Sequence, residues 1–239
     1  MPIGFFTQGV VFTLPHPQIP QRTILLICKV IKKAWQLLEE KPPSGFHMQS
    51  ADEDRITQIL VEIIENVLRK NGDVEGFNCA LFGKVIREQK ITNFDKTHPD
   101  KMPDILFDLK RVEHVPIISD QDGLFVECKP VDVQHPILSH YCNKGLVRFV
   151  NGDYAWAMQD ALMVGYVKGP YPLTKLASIL DDDKNKATLK PIEHSAVEEY
   201  EIYRSSHKRD FYWLENRGQA CPITVSHLWL SIHFPFFPS

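Results

Sequence analysis

Apolar positions recur at helical spacing in two stretches near the start of the chain. Residues 22–40 predict a helix that ends at the prolines and glycine of 41–45. In residues 52–72 the apolar positions follow one helix face without a gap, and Asn71-Gly72 ends the pattern. The apolar positions of this second helix are Ile56, Ile59, Leu60, Ile63, Ile64, Val67 and Leu68.

Short apolar runs with turn residues at their ends indicate strands elsewhere in the chain. Residues 104–112 and 123–129 are separated by a polar connection and predict a hairpin or a pair of adjacent strands. Residues 198–206 and 221–234 are rich in aromatic and β-branched residues and predict late strands or a strand pair.

Helical spacing returns between these two pairs of strands. Residues 138–150 predict a helix that ends at a turn, and a further helix is expected to begin at an Asp153 N-cap. Residues 181–186 are almost all charged and predict a solvated loop. The order of elements predicts an α/β fold in which helices cover a central mixed β-sheet. The apolar face of the helix after Asp153 would hold Tyr154, Ala157, Met158, Ala161, Leu162 and Gly165.

The composition is that of a globular protein, because 44% of the 239 residues are hydrophobic and 24% are charged. A formal net charge of −3 argues against the basic coat of a general nucleic-acid binder, so any nucleic-acid contact is expected to be local. The five cysteines include no CxxC pair, which favours reduced thiols in a cytoplasmic protein. We expect no signal peptide, because the N-terminal stretch has no basic n-region and prolines interrupt its apolar run. We expect no membrane span, because no run of about 18 apolar residues occurs.

The second central strand contains a carboxylate and an ammonium that need an explanation. In "DGLFVECKP" (122–130), Glu127 and Lys129 are two residues apart, so a strand directs both to one face and Cys128 to the other. Charges on the covered face of a sheet are costly unless something there uses them. The alternative is a surface strand with a Glu–Lys ladder, but this run is too apolar for a solvated edge.

Pro103-Asp104 before the first central strand and "ECK" at 127–129 together resemble the motif of the PD-(D/E)xK nuclease superfamily. Members place an Asp at the start of one core strand and Glu-x-Lys on the next, and many add a Glu from the preceding helix. The resemblance covers roughly residues 50–168. It implies a restriction-endonuclease-like core in residues 51–239, after an N-terminal helical extension in residues 1–50.

The phase of the second helix selects the upstream carboxylate. At about 100° per residue, Glu53 falls at the edge of the apolar stripe, whereas Glu62 lies well off it and Glu65 almost opposite. We therefore expect Glu53 to face the strand ends, and Glu62 and Glu65 to be solvated. The resemblance gives Glu53 its role, which is to support a metal held by Asp104 and Glu127.

The implied chemistry is hydrolysis of a phosphodiester bond, which needs a nucleophilic water and shielding of the phosphate charge. Carboxylate oxygens are hard ligands that suit Mg²⁺, for which Mn²⁺ can substitute. Lys129 beside the ion could position the water or help to deprotonate it. The resemblance thus makes Asp104, Glu127, Glu53 and Lys129 the catalytic set. Asp108 shares the strand parity of Asp104 and is the alternative ligand if the strand begins later.

The stretch 135–167 is similar to one in nuclease-like proteins of bacterial defence and mobile-element loci. Within it, Lys144 and Arg148 are four residues apart, hence on one helix face, where they could contact a phosphate backbone. A solvated basic face is an equal alternative.

Two further groups of residues suggest other chemistry. His135, His140 and Cys142 could be part of a zinc site, but no fourth ligand has matching spacing. The basic stretch 205–209 could be a loop near a substrate or a simple strand connection, and the second interpretation is favoured.

These observations lead to two hypotheses about function. The first is a Mg²⁺-dependent endonuclease that cleaves DNA in anti-phage defence, as a homo-oligomer or with a partner subunit, since a cut in both strands needs two sites. The second is a catalytically inactive, nuclease-like binding or scaffolding subunit of a larger complex. The intact Asp…Glu-x-Lys set favours the enzyme, whereas the negative net charge favours the scaffold. Neither hypothesis involves a membrane.

Overall fold

A seven-stranded mixed sheet forms the centre of the protein. The structure is a computed structural model that describes residues 14–111, 121–213 and 218–232. Its strands are β1 Phe82–Arg87, β2 Ile105–Leu109, β3 Gly123–Val131, β4 Asp160–Val167, β5 Pro191–Val197, β6 Ile202–His207 and β7 Ile223–Ser231.

The order of the strands across the sheet is β1-β2-β3-β4-β7-β6-β5. The central strands β3, β4 and β7 are parallel, and the flanking pairs on each side are antiparallel. The α/β prediction with a central mixed sheet is therefore confirmed. The predictions of adjacent strands β2 and β3 and of a late strand pair, β6 and β7, are also confirmed.

Helices cover both faces of the sheet. None of the described helices is both long and apolar enough to span a membrane. The α-helices are α1 Gln21–Glu40, α2 Glu53–Ile63, α3 Arg69–Asn71, α4 Val147–Asn151, α5 Lys175–Asp181 and α6 Asp183–Leu189. Two π-helical segments, Ile64–Leu68 and Ile137–Leu146, precede α3 and α4.

The two faces of the sheet can be named by neighbouring residues of β3. On the Cys128 face, the Trp35 ring of α1 stacks on Tyr166, and the hydroxyl of Thr57 in α2 lies 2.9 Å from the Tyr166 hydroxyl. The second π-helical segment covers the Glu127 face. It approaches closely at Gly145, where a Cβ atom would lie only 3.2 Å from Lys129 Cγ. One continuous hydrophobic core includes α1 together with both faces of the sheet.

The first π-helical segment changes the phase of the helix that begins at Glu53. The expectation that Glu65 is solvated is wrong, because its carboxylate accepts a hydrogen bond from the Val85 backbone N–H at 2.8 Å and pairs with Arg69. A π turn contains an extra residue and rotates everything beyond it relative to an ideal α-helix. Glu65 therefore turns toward the sheet, and Val67, expected on the buried stripe, is 37% exposed. Glu62, before the shift, is exposed as predicted.

Two predicted elements are wrong. The expected helix from Asp153 through Gly165 is instead a loop followed by β4, every residue of which is buried. A parallel strand covered on both faces has no polar alternation, so its apolar run cannot be distinguished from a buried helix by periodicity. The expected loop 181–186 contains the start of α6, which the Asp182 side chain caps by accepting the Lys184 N–H.

Candidate active site

Glu127 and Lys129 lie in the interior of the sheet. Their strand, β3, pairs with β2 on one side and β4 on the other. The Glu127 side chain is fully buried and that of Lys129 is 11% exposed. The two side chains share one face, as the strand parity predicts, and Lys129 Nζ lies 3.0 Å from Glu127 Oε1.

Asp104 reaches the same face from the residue before β2. Because Ile105 is paired with Val126, Asp104 comes level with Glu127. Its Oδ2 accepts the backbone N–H of Cys128 at 2.6 Å and lies 3.6 Å from Lys129 Nζ. The alternative ligand, Asp108, pairs with Gly123 at the other end of β2, away from these groups.

Glu53 completes the group from α2, the helix that packs on the Cys128 face of the sheet. It is the first residue of α2, whose N-terminus is capped by Asp52. Lys129 Nζ donates a hydrogen bond of 2.6 Å to Glu53 Oε1. The Lys129 ammonium thus contacts all three predicted carboxylates, and we call the four residues Glu53, Asp104, Glu127 and Lys129 the Lys129 cluster.

Arg148 and Tyr154 are further partners of the cluster. Arg148 Nη1 lies 3.2 Å from Glu127 Oε1, and the Arg148 side chain is 41% exposed. The Tyr154 hydroxyl donates to Glu127 Oε2. From the sequence, Arg148 was predicted only as a phosphate contact. Tyr154 was predicted in a helix and therefore without a role in the site. Lys144, grouped with Arg148 by spacing, is exposed and lies 3.0 Å from His140 Nε2 instead.

Burial raises the pKa values of all three carboxyl groups, and the Asp104 charge adds to the rise at Glu127 and Glu53. Desolvation is the largest cause for Glu127, the Asp104 charge adds to it, and the pKa of Glu127 rises to about 7 despite Lys129 and Arg148. Desolvation also raises the pKa values of Glu53 and Asp104, against the opposing effect of Lys129. For Lys129, burial alone lowers the pKa, but the three carboxylates outweigh it and the pKa is raised. Lys129 is therefore a stable cation.

The donor set of the cluster fits a hard divalent cation in its chemistry. Three carboxylates face one point, and two cations balance them incompletely. Oε1 of Glu127 accepts no well-oriented hydrogen bond, although it faces both Lys129 and Arg148. Mg²⁺ prefers such oxygen ligands. Glu53, Asp104 and Glu127 would hold the ion, in competition with the Lys129 ammonium for the same oxygens.

The side chains expected to hold a metal are not preformed as a metal site. Within residues 14–111, 121–213 and 218–232, no group of three or more His, Cys, Asp or Glu side chains is arranged to hold an ion. In the Lys129 cluster this follows from the position of the ammonium, to which the carboxylates turn. Of the predicted zinc ligands, His135 and His140 have ring centroids 5.0 Å apart, whereas Cys142 is buried in apolar surroundings that raise its pKa to about 12.

The structure therefore brings together Glu53, Asp104, Glu127, Lys129 and Arg148, and it leaves Lys144 and Asp108 outside. In the basic stretch 205–209, Arg209 is fully buried and donates to backbone carbonyls, so this stretch is not an exposed basic loop. Comparisons of the chain with protein-family models, with curated proteins and with solved structures each found no match.

Proposed function

We propose that this protein is a metal-dependent endonuclease of the PD-(D/E)xK type that hydrolyses DNA phosphodiester bonds. One observation carries the proposal: the Lys129 ammonium lies within 3.6 Å of three carboxylates that come from α2, from the residue before β2, and from β3. A purely structural ion pair does not need three acids around one base on the covered face of a sheet. Each buried charge there costs roughly several kcal/mol of desolvation.

The residues of the cluster have distinct roles in the proposed reaction. Glu53, Asp104 and Glu127 would hold Mg²⁺, which would supply charge neutralisation for the phosphate and lower the pKa of a water molecule. Lys129 orients the water and stabilises phosphate oxygens by donating hydrogen bonds.

Among the groups that contact the Lys129 cluster, Arg148 is the one exposed to receive the substrate. Its guanidinium contacts Glu127 and keeps 41% of its side-chain surface in solvent, so it can bind a phosphate oxygen next to the cluster. Lys144 is more exposed and lies about one turn earlier on the same helical stretch, where it can contact a neighbouring phosphate.

Plasmid nicking with Mg²⁺ or Mn²⁺ tests the proposal. We expect cleavage by the wild type, and a loss of at least about 100-fold in Glu127→Ala and Lys129→Ala, as for other removed groups that stabilise a transition state. Glu62→Ala is the matched control, because this exposed glutamate lies on the helix that begins at Glu53. Cleavage that survives both cluster substitutions would show that the activity comes from elsewhere. Parallel reactions on RNA of the same sequence test the choice of DNA.

The role in anti-phage defence rests only on the resemblance of residues 135–167. Its test is phage plating on cells that express the wild type or Glu127→Ala, together with the genes beside it. Equal plating efficiency on both strains argues against a defence role and leaves the nuclease proposal intact.

A nuclease-like scaffold is the second candidate, and one observation favours it. The Lys129 ammonium already occupies the point on which the carboxylates converge. The side chains of the cluster are largely buried, and the more exposed group is their partner Arg148. In this case neither Mg²⁺ nor Mn²⁺ binds the wild type, and the cluster fixes the ends of α2, β2 and β3. Calorimetric titration with Mn²⁺ separates the two candidates without nucleic acid.

A further inference from the structure

The second oxygen of Glu127 has a partner that the nuclease motif does not include. Oε1 faces Lys129 and Arg148, whereas Oε2 accepts a hydrogen bond from the Tyr154 hydroxyl. Within the described residues, this hydroxyl is the only hydrogen-bond donor to Oε2. Because a buried carboxylate is oriented by its donors, the Tyr154 hydroxyl sets the direction in which the other oxygen, Oε1, faces the cluster.

The Tyr154 ring cannot easily move away from Glu127. It is fully buried, stacked on Phe125 with a centroid distance of 6.5 Å, and it packs edge-on against Phe149 at 5.2 Å. Phe125 lies two residues before Glu127 on the same strand face. The ring and the carboxylate are thus held by the same strand.

The loop that follows Tyr154 is anchored from a distant part of the chain. The guanidinium of Arg209, itself fully buried, donates to the carbonyl oxygens of Ala155 at 3.1 Å and Met158 at 2.9 Å. The Trp156 indole donates to the Thr92 carbonyl oxygen at 2.9 Å. These contacts fix the backbone next to Tyr154 and so fix the direction of its hydroxyl.

We propose that Tyr154 is a positioning residue of the site, whose hydroxyl holds Glu127 Oε2 and thereby directs Oε1 to the divalent cation. This inference rests on the proposed nuclease function. Burial and the Glu127 charge raise the pKa of Tyr154, so its hydroxyl keeps the proton that it donates. Tyr154 acts on the ligand and does not contact the reacting atoms.

Tyr154→Phe is the direct test, since it removes the hydroxyl and keeps the ring. We expect the Mn²⁺ dissociation constant, measured by calorimetry without nucleic acid, to rise about 10–100-fold, as is typical when a partner of a metal ligand is lost. The Mn²⁺ concentration for half-maximal plasmid cleavage should rise by the same factor. Tyr166→Phe is the control, because it also removes a buried hydroxyl contact from the sheet, on the Cys128 face.

A double-mutant cycle separates positioning from general stability. If Tyr154 acts through Glu127, then Tyr154→Phe has no further effect on the Mn²⁺ dissociation constant in a Glu127→Gln background. Additive effects, or a folded Tyr154→Phe protein within about twofold of the wild-type constant, a change of well under 1 kcal/mol, would overturn the inference while the nuclease proposal stands. A wild type that neither binds Mn²⁺ nor cleaves DNA removes the proposed function, and this inference with it.

Discussion

Replacing Lys129 by methionine should destabilise the protein and at the same time open the cluster to metal. The ammonium lies 2.6 Å from Glu53, 3.0 Å from Glu127 and 3.6 Å from Asp104. At an effective dielectric constant of about 20, each contact corresponds to roughly 5 kcal/mol of gross attraction. Desolvation of the buried ammonium offsets most of this sum. Loss of one partner from a buried ion pair nevertheless costs about 3–5 kcal/mol, because the remaining charges stay buried.

Divalent cations should reverse this loss. In Lys129→Met the three carboxylates face each other without the ammonium, so Mg²⁺ no longer competes with it for their oxygens. A ligand that binds only the folded state at 100 times its dissociation constant adds about 2.7 kcal/mol. For a chain of this size, 3–5 kcal/mol corresponds to a change in Tm of roughly 10 °C. We therefore expect Lys129→Met to melt roughly 10 °C below the wild type without Mg²⁺ and to regain most of the difference with it.

Thermal denaturation at pH 8, with EDTA or with MgCl₂ at about 10 mM, measures both effects. The control is Lys32→Met, which removes a lysine from a solvent-exposed pair with Glu201 and should change stability by about 1 kcal/mol or less. A Lys129→Met protein that is as stable as the wild type in EDTA would contradict this prediction. So would a rise in the Tm of Lys129→Met with Mg²⁺ that is no larger than the rise for Lys32→Met.

Three further predictions concern Arg148, His207 and Arg209. Arg148→Ala should lower the plasmid cleavage rate at least about 10-fold. Lys144→Ala should mainly lower the slope of log affinity against log salt concentration by about 1 in a DNA-binding titration. Equal effects of the two variants on the cleavage rate would contradict the different positions of the two residues. Burial lowers the pKa of His207 to about 4 from its ordinary 6.5, so its contribution to stability is complete above pH 6.5 and is lost as the pH falls toward 4. Urea denaturation should show the wild type losing about 3 kcal/mol more than His207→Gln over this range, and parallel curves would contradict the shift. Arg209→Met should lower the free energy of unfolding by at least about 3 kcal/mol, because several buried carbonyl oxygens lose their donor. Lys208→Met, at the exposed neighbouring position, should change it by about 0.5 kcal/mol or less in the same assay.

The elements that bring the cluster together were predictable from local sequence rules. Strand parity alone places Glu127 and Lys129 on one face, and their contact confirms it. The helix phase correctly distinguished Glu53 from Glu62, because both precede the π-helical segment and obey ideal α-helical spacing. The distance between Asp104 and Lys129 followed from the prediction that their strands are adjacent. The catalytic role of these residues remains a prediction.

The residues that escaped prediction depend on features that periodicity does not encode. Tyr154 was placed in a helix because the fully buried strand after it has no polar alternation. Glu65 was expected in solvent because a π turn leaves no mark in the spacing of apolar residues. Arg209 was read as part of a basic stretch, and only the fold reveals the carbonyl oxygens that surround it.

The position of Lys129 connects these observations to function. A buried ammonium among three carboxylates stabilises the metal-free protein, so an ion can enter only if its binding exceeds what the ammonium provides. A scaffold has no need of this competition, since apolar side chains of similar volume would fill the same space at equal or lower cost in free energy. An enzyme could use it, because an ammonium displaced from the carboxylates by a metal would stay next to the site that the proposed reaction needs for water and phosphate. Titration of the wild type with Mn²⁺ is therefore the measurement that bears most directly on the choice between the two functions, because Lys129→Met leaves the same three carboxylates without their ammonium in either case.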